Sequence, residues 1–224
     1  MDFVRKTGGS AVGLFCYLPT SHRTGERKRK MKRFDTKKIV GLSIFTAIVV
    51  VLQLMGSFIH FGMFSISLVL VPIVVGAALY GAVSGAWLGF VFAIVVLISG
   101  DAAAFLVVNP LGTIITVVGK DVLCGLGAGL AYNALKEKKD TAAVMASAIV
   151  CPVINTGVFL LCCALFFIKE PLTGWAQGLG FGDDVVKYMF FGLAGWNFVF
   201  ELLFNVALSP VIVRLIKLGK IRIR

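Results

Sequence analysis

Lys120 and Asp121 stand side by side inside the apolar run TIITVVGKDVLCGLG. A charge at the centre of a membrane helix costs about 2.5–3.5 kcal/mol or more, so such a pair needs a reason. Either Lys120 closes a structural ion pair, or it is the cation that holds a ligand's carboxylate. Adjacent residues on a helix do not face each other, which predicts that one of the two serves a pocket while the other pairs with a different helix. Farther along, Asn197, Glu201 and Asn205 recur every four residues and form one stripe. Asn155 lies three residues after Pro152, whose ring frees a backbone carbonyl that a polar side chain or water can satisfy. Interhelical hydrogen bonds, averaging about 0.6 kcal/mol each, are the structural explanation of these residues. The functional one is recognition of a small polar molecule or, at Glu201, passage of a proton or cation.

The elements that must position these groups are membrane spans. Of the 224 residues 58% are hydrophobic and 15% charged, with a mean hydropathy of +0.95. A soluble domain is roughly 45–50% apolar and about 25% charged, so little chain is left for an extramembrane catalytic domain. One span needs about 20 mostly apolar residues. Runs bounded by Gly, Pro, Asn and charges predict six helices, near residues 36–57, 66–80, 82–100, 113–135, 141–168 and 187–217. The second is short, and Gly81 is the expected turn between it and the third. The fold class that follows is all-α, a polytopic six-transmembrane-helix bundle.

The formal charge of +11 is a matter of topology. With the N-terminus inside, the inner flanks carry Lys32, Arg33, Lys37 and Lys38, then Lys136, Lys138 and Lys139, then Arg214, Lys217, Lys220, Arg222 and Arg224. The outer flanks carry only Lys169 and Lys187. The positive-inside rule therefore places both termini in the cytoplasm, and the basic tails need anionic lipid rather than nucleic acid. Residues 1–30 differ in character: Arg5, Lys6, Arg23, Arg27, Lys28, Arg29 and Lys30 stand against Asp2 and Glu26, and the one apolar run, 11–18, is too short to span. They lack the cleavage site of a signal peptide, and Phe15 before Cys16 spoils a lipoprotein box. The expectation is a basic extension, disordered or upstream of a true start at Met31, followed by a membrane domain over 31–224.

Gly81, Gly85 and Gly89, then Gly125 and Gly129, have the spacing of close helix packing, and Ser43 and Ala47 make a similar small pair on the first helix. Cys16, Cys124, Cys151, Cys162 and Cys163 contain no CxxC and read as small hydrophobes. There is no GxxxxGK[ST] and no HExxH, and His22 and His60 are far apart, so neither ATP hydrolysis, a catalytic residue nor a metal or other cofactor is expected of this chain.

Three stretches in order, FGMFSISLVLVPIVVGAALYGAVSGAWLGFVFAIVVL, NPLGTIITVVGKDVLCGLGAGLAY and NFVFELLFNVALSPVIVRLI, resemble the substrate-binding S components of energy-coupling factor (ECF) transporters. The likeness spans about residues 32–217. It implies capture of a vitamin or related micronutrient at the outer side of a bacterial plasma membrane, the run from Ser65 to Gly89 resembling pantothenate-type members more than riboflavin-type ones, with folate and others open. The substrate then passes to a transmembrane T component with two ATPase subunits, as the S component topples in the bilayer. The resemblance places Phe64, Ser65, Asn109, Lys120, Asn155, Trp175, Asn197 and Glu201 at the substrate site, with Lys120 and Asn197 bonding the ligand and Asn109 on a lid loop. It places Ser43 and Ala47 against the T component, with serine where alanine is more usual. The competing reading is a self-sufficient proton- or cation-coupled transporter or channel; a purely structural membrane subunit, binding no small molecule, is a third.

Overall fold

The computed structural model describes residues 36–58, 60–61, 64–65, 68–137, 139–167 and 171–223, all within the unit from Phe34 to Arg224. The extension expected over residues 1–30 lies outside them. Helix α1 (Thr36–Phe58) leads into a minimal antiparallel hairpin, β1 (His60–Phe61) and β2 (Phe64–Ser65), with His60 opposite Ser65. Then come α2 (Leu70–Tyr80), α3 (Ala82–Ser99), the short α4 (Ala103–Val108), α5 (Pro110–Leu135) and α6 (Asp140–Phe166). The chain closes with α7 (Pro171–Gly178), α8 (Val185–Lys187), a π-helical stretch over Tyr188–Gly195, and α9 (Trp196–Ile223). The protein is an all-α polytopic membrane protein, as its composition requires.

Among the described residues five helical segments are long and apolar enough to cross a bilayer: α1, α3, α5, α6 and the continuous run Val185–Leu218. Helix α2 is the exception, beginning at Leu70 rather than near residue 66 and reaching only 11 residues. Eleven residues rise roughly 16 Å at 1.5 Å each, about half a hydrocarbon core. Its length makes sense from its position: Leu70, Ile73, Val74 and Ala77 have no exposed surface, because α1, α3, α5, α6 and α9 all pack on it. A helix apolar on every side is stable where protein surrounds it. Gly81 makes the expected turn into α3 at φ 97°, a conformation that a Cβ would strain.

Helices α3 and α5 meet backbone to backbone. A Cβ on Gly85 would run into the carbonyl oxygen of Gly125, one on Gly125 into that of Gly85, and one on Gly89 into that of Asp121. Gly129 sits as tightly against Ala82. The small-residue pattern is thus a packing device, except at Gly81, which has open space beside it and serves the turn alone. Ser147 on α6 ties into the same frame by donating its hydroxyl to the Ala128 carbonyl at 2.8 Å. Cys124, Cys151 and Cys163 are buried free thiols, consistent with the role of small hydrophobes.

The sequence reading missed α4 and α7. Gly100, in the left-handed region at φ 89°, breaks the chain after α3, and Asn109 begins α5 by accepting from the Gly112 backbone N–H at 2.9 Å. Of the eight residues between those two signals, six form helix, little more than one turn and a half.

Candidate substrate-binding site

The sequence offers one buried lysine within a span, and its partner is its own neighbour. Lys120 Nζ lies 2.6 Å from Asp121 Oδ1 and also donates to Asn155 Oδ1 at 3.2 Å. The expectation that adjacent residues would serve different partners fails here because the four-carbon stem of lysine folds back far enough to reach the next carboxylate. Phe92 completes the shell, its ring centroid 5.3 Å from the ammonium. Asp121 has no exposed surface, and its second oxygen, Oδ2, has no hydrogen-bond partner among the described residues.

The stripe on α9 is bonded along its own length. Asn197 Nδ2 donates to Glu201 Oε1 at 3.1 Å, and Asn205 Nδ2 donates to the Glu201 backbone carbonyl at 2.9 Å. The four-residue spacing makes both bonds possible, since it stacks the side chains one turn apart. Glu201 is 2% exposed, and its Oε2 is buried without a partner among the described residues. Asn205, nearest the C-terminal end of the stripe, closes the ladder and is not among the residues lining the cavity that Asn197 and Glu201 share.

Lys120 from α5, Asn155 from α6, and Asn197 and Glu201 from α9 line one cavity of about 180 Å³. Thr113 and Thr116 add hydroxyls to its wall, and Phe92, Phe105, Phe159 and Phe167 supply the apolar part. Each threonine donates its hydroxyl to a backbone carbonyl four residues back, at 2.8 Å and 2.7 Å, which leaves the hydroxyl oxygens as acceptors. A second cavity of about 460 Å³ adjoins the first, sharing Asp101, Phe105 and Leu193 with it. Phe105 stands between the two, edge-on to Phe159, Phe167 and Trp175 at centroid distances of 5.9, 5.2 and 5.2 Å.

Four of the residues expected at the site therefore share one cavity, and Trp175 lines the adjoining one. Asn109 lines neither; its side chain is committed to starting α5. Phe64 and Ser65 form the second strand of the hairpin after α1, and their side chains lie outside the described residues. Ser43 and Ala47 are exposed on the outer face of α1, the serine hydroxyl satisfied by the Ile39 carbonyl at 3.0 Å. Sequence reasoning missed Asp101, which accepts from Gln53 Nε2 at 2.6 Å and Ser57 Oγ at 2.7 Å and lines both cavities. The signal was present: Gln53 and Ser57 are four residues apart in the otherwise apolar second half of α1 and form a polar stripe of their own. The phenylalanines carried no such signal, since an apolar residue in an apolar span fits any position.

A cavity within a membrane bundle, apolar on much of its wall with a few convergent polar groups, has the character of a small-molecule site. A family model described as ECF transporter, substrate-specific component, matches residues 37–216. No individual curated protein and no solved structure matches the chain. The matched segment takes in the five long helices, α2 between them and every residue that lines the cavity, and the chain belongs to the family of ECF transporter substrate-specific components.

Proposed function

We propose that the cavity bounded by α3, α5, α6 and α9 captures a vitamin or related micronutrient from the outer side of a bacterial plasma membrane. The chain then delivers it to a T component and two ATPase subunits that supply the energy. The observation that carries this reading is the convergence of Lys120, Asn155, Asn197 and Glu201, from three helices, on one cavity that Phe92, Phe105, Phe159 and Phe167 line with apolar surface. Polar groups that would be costly in lipid earn their place by meeting a ligand's polar groups in the cavity. The orientation with both termini inside follows from the placement of Lys and Arg.

A pantothenate-like acid would set its carboxylate on Lys120. Asp121, 2.6 Å away, already matches that charge, so the site has no unmatched cation to offer such a group. Partnership with a T component has its own support in α1, where Ser43 and Ala47 lie among the exposed apolar residues Val40, Ile44, Ile48 and Val51. Small residues in such a stripe allow close approach of another membrane helix.

Copurification and vesicle transport test the reading together. Affinity capture of the full chain from its native membrane should bring down a membrane partner and ATPases, and uptake should stop when ATP is withheld. Uptake by the chain alone, driven by a proton or cation gradient and lost in Glu201→Gln, would instead make it a self-sufficient transporter.

A further inference from the structure

The charges around the cavity do not balance. Of the lining residues Lys120 is the one base, no arginine is present, and its ammonium is matched by Asp121, which lies behind it with no exposed surface. Glu201 is less well matched: its carboxylate accepts from the neutral amide of Asn197 at 3.1 Å and lies near Asn155, the Lys120 ammonium acts on it only through space while its ion pair is made to Asp121, and Oε2 has no hydrogen-bond partner among the described residues. Thr113 and Thr116 have spent their hydroxyl protons on the backbone and present acceptors. A second carboxylate, Asp101, lines the same wall and is held by Gln53 and Ser57. The polar surface is thus rich in acceptors and negative charge, while the apolar surface is built from aromatic rings, with Phe105, Phe159 and Phe167 set edge to face.

We propose that the substrate is a small planar ring compound carrying a basic or amino nitrogen, which it presents to Glu201. A buried carboxylate that must share its one nearby cation with a second carboxylate is costly, and a ligand that brings a cation of its own removes that cost on binding. The ring of such a ligand stacks or packs edge-on against the phenylalanines, and a positive charge on it is further favoured by their π faces. The proposal rests on the reading that this cavity captures a small molecule and adds the chemical class to it.

Benzylamine and benzoate share a ring and differ in the sign of the charge, which makes them a matched pair of probes. Equilibrium dialysis against the full chain in lipid nanodiscs should show benzylamine binding at least about tenfold more tightly than benzoate, with the preference lost in Glu201→Gln. Should that variant fail to fold, the ratio measured on the wild-type protein still decides. Equal binding, or a preference for benzoate, overturns the proposal. Mass spectrometry of the compound that the purified protein retains separates the two levels. A ring compound with a basic nitrogen supports both, whereas an acid without one overturns the class and leaves capture standing. If nothing is retained and neither probe binds, both fall.

Discussion

Helices α1 and α5 are both uninterrupted, both long enough to cross a bilayer and both dominated by apolar residues, yet they do different work. In α1 only 11% of the most apolar stretch is buried within the protein, and in α5 39% is. The difference lies in the residues that interrupt the apolar run. Gly125 and Gly129 bring the α5 backbone against α3, and Lys120 and Asp121 then sit where protein surrounds them. On α1 the small residues Ser43 and Ala47 point outward, between side chains such as Ile44 and Ile48 that face lipid or another membrane protein. Hydropathy decides that a helix enters the membrane; glycines and charges decide which helices form the frame and which form the surface.

The comparison breaks most sharply at the ion pair. Lys120→Met should cost about 3–5 kcal/mol, because it leaves Asp121 charged and buried without a cation. Lys120→Met combined with Asp121→Leu should recover most of that loss, as read from unfolding in detergent. A single variant as stable as the wild type would show that Asp121 is not held by the lysine. Next comes the glycine contact. Gly125→Val should cost about 1–3 kcal/mol, since the new side chain meets the Gly85 backbone, which cannot swing aside. Gly119→Ala on the same helix, where there is open space, should stay within about 0.5 kcal/mol.

A smaller effect is expected at the cavity wall. Asn197→Ala should weaken binding of the retained compound about tenfold, the worth of one hydrogen bond of about 1–1.5 kcal/mol, in dialysis against the purified protein. The smallest effect on the isolated chain belongs to α1. Ser43→Phe and Ala47→Phe should leave stability within about 0.5 kcal/mol and binding unchanged, because both positions are exposed. The same substitutions should abolish copurification with the membrane partner. A loss of binding here would mean that α1 belongs to the frame after all.

Much of this was legible in the sequence for a plain physical reason. Polar residues such as Lys120, Asn155, Asn197 and Glu201 are so costly in hydrocarbon that their presence alone marks protected positions, and a period of four places them on a face. What spacing does not encode is reach. The Lys120–Asp121 bond runs between neighbours that the helical wheel separates, and only the bend of a long side chain makes it. Asp101 escaped notice because it stands in a short connection, where no periodicity exists to flag it, and because its partners Gln53 and Ser57 come from a helix 44 to 48 residues earlier. The length of α2 was hard to read for the opposite reason: Ile66, Leu68 and Val69, parted only by Ser67, continue its apolar character upstream, and burial among five other helices gives little sign in the sequence of where it starts.

Substrate capture requires that a small molecule occupy the cavity bounded by α3, α5, α6 and α9. The most direct measurement is mass spectrometry of the small molecules released from purified wild-type protein beside the Asn155→Ala/Asn197→Ala variant, with melting curves to show that both are folded. The account predicts one organic compound at close to one per chain in the wild type and its loss from the folded variant. The same compound held equally by both would place the substrate elsewhere and contradict it.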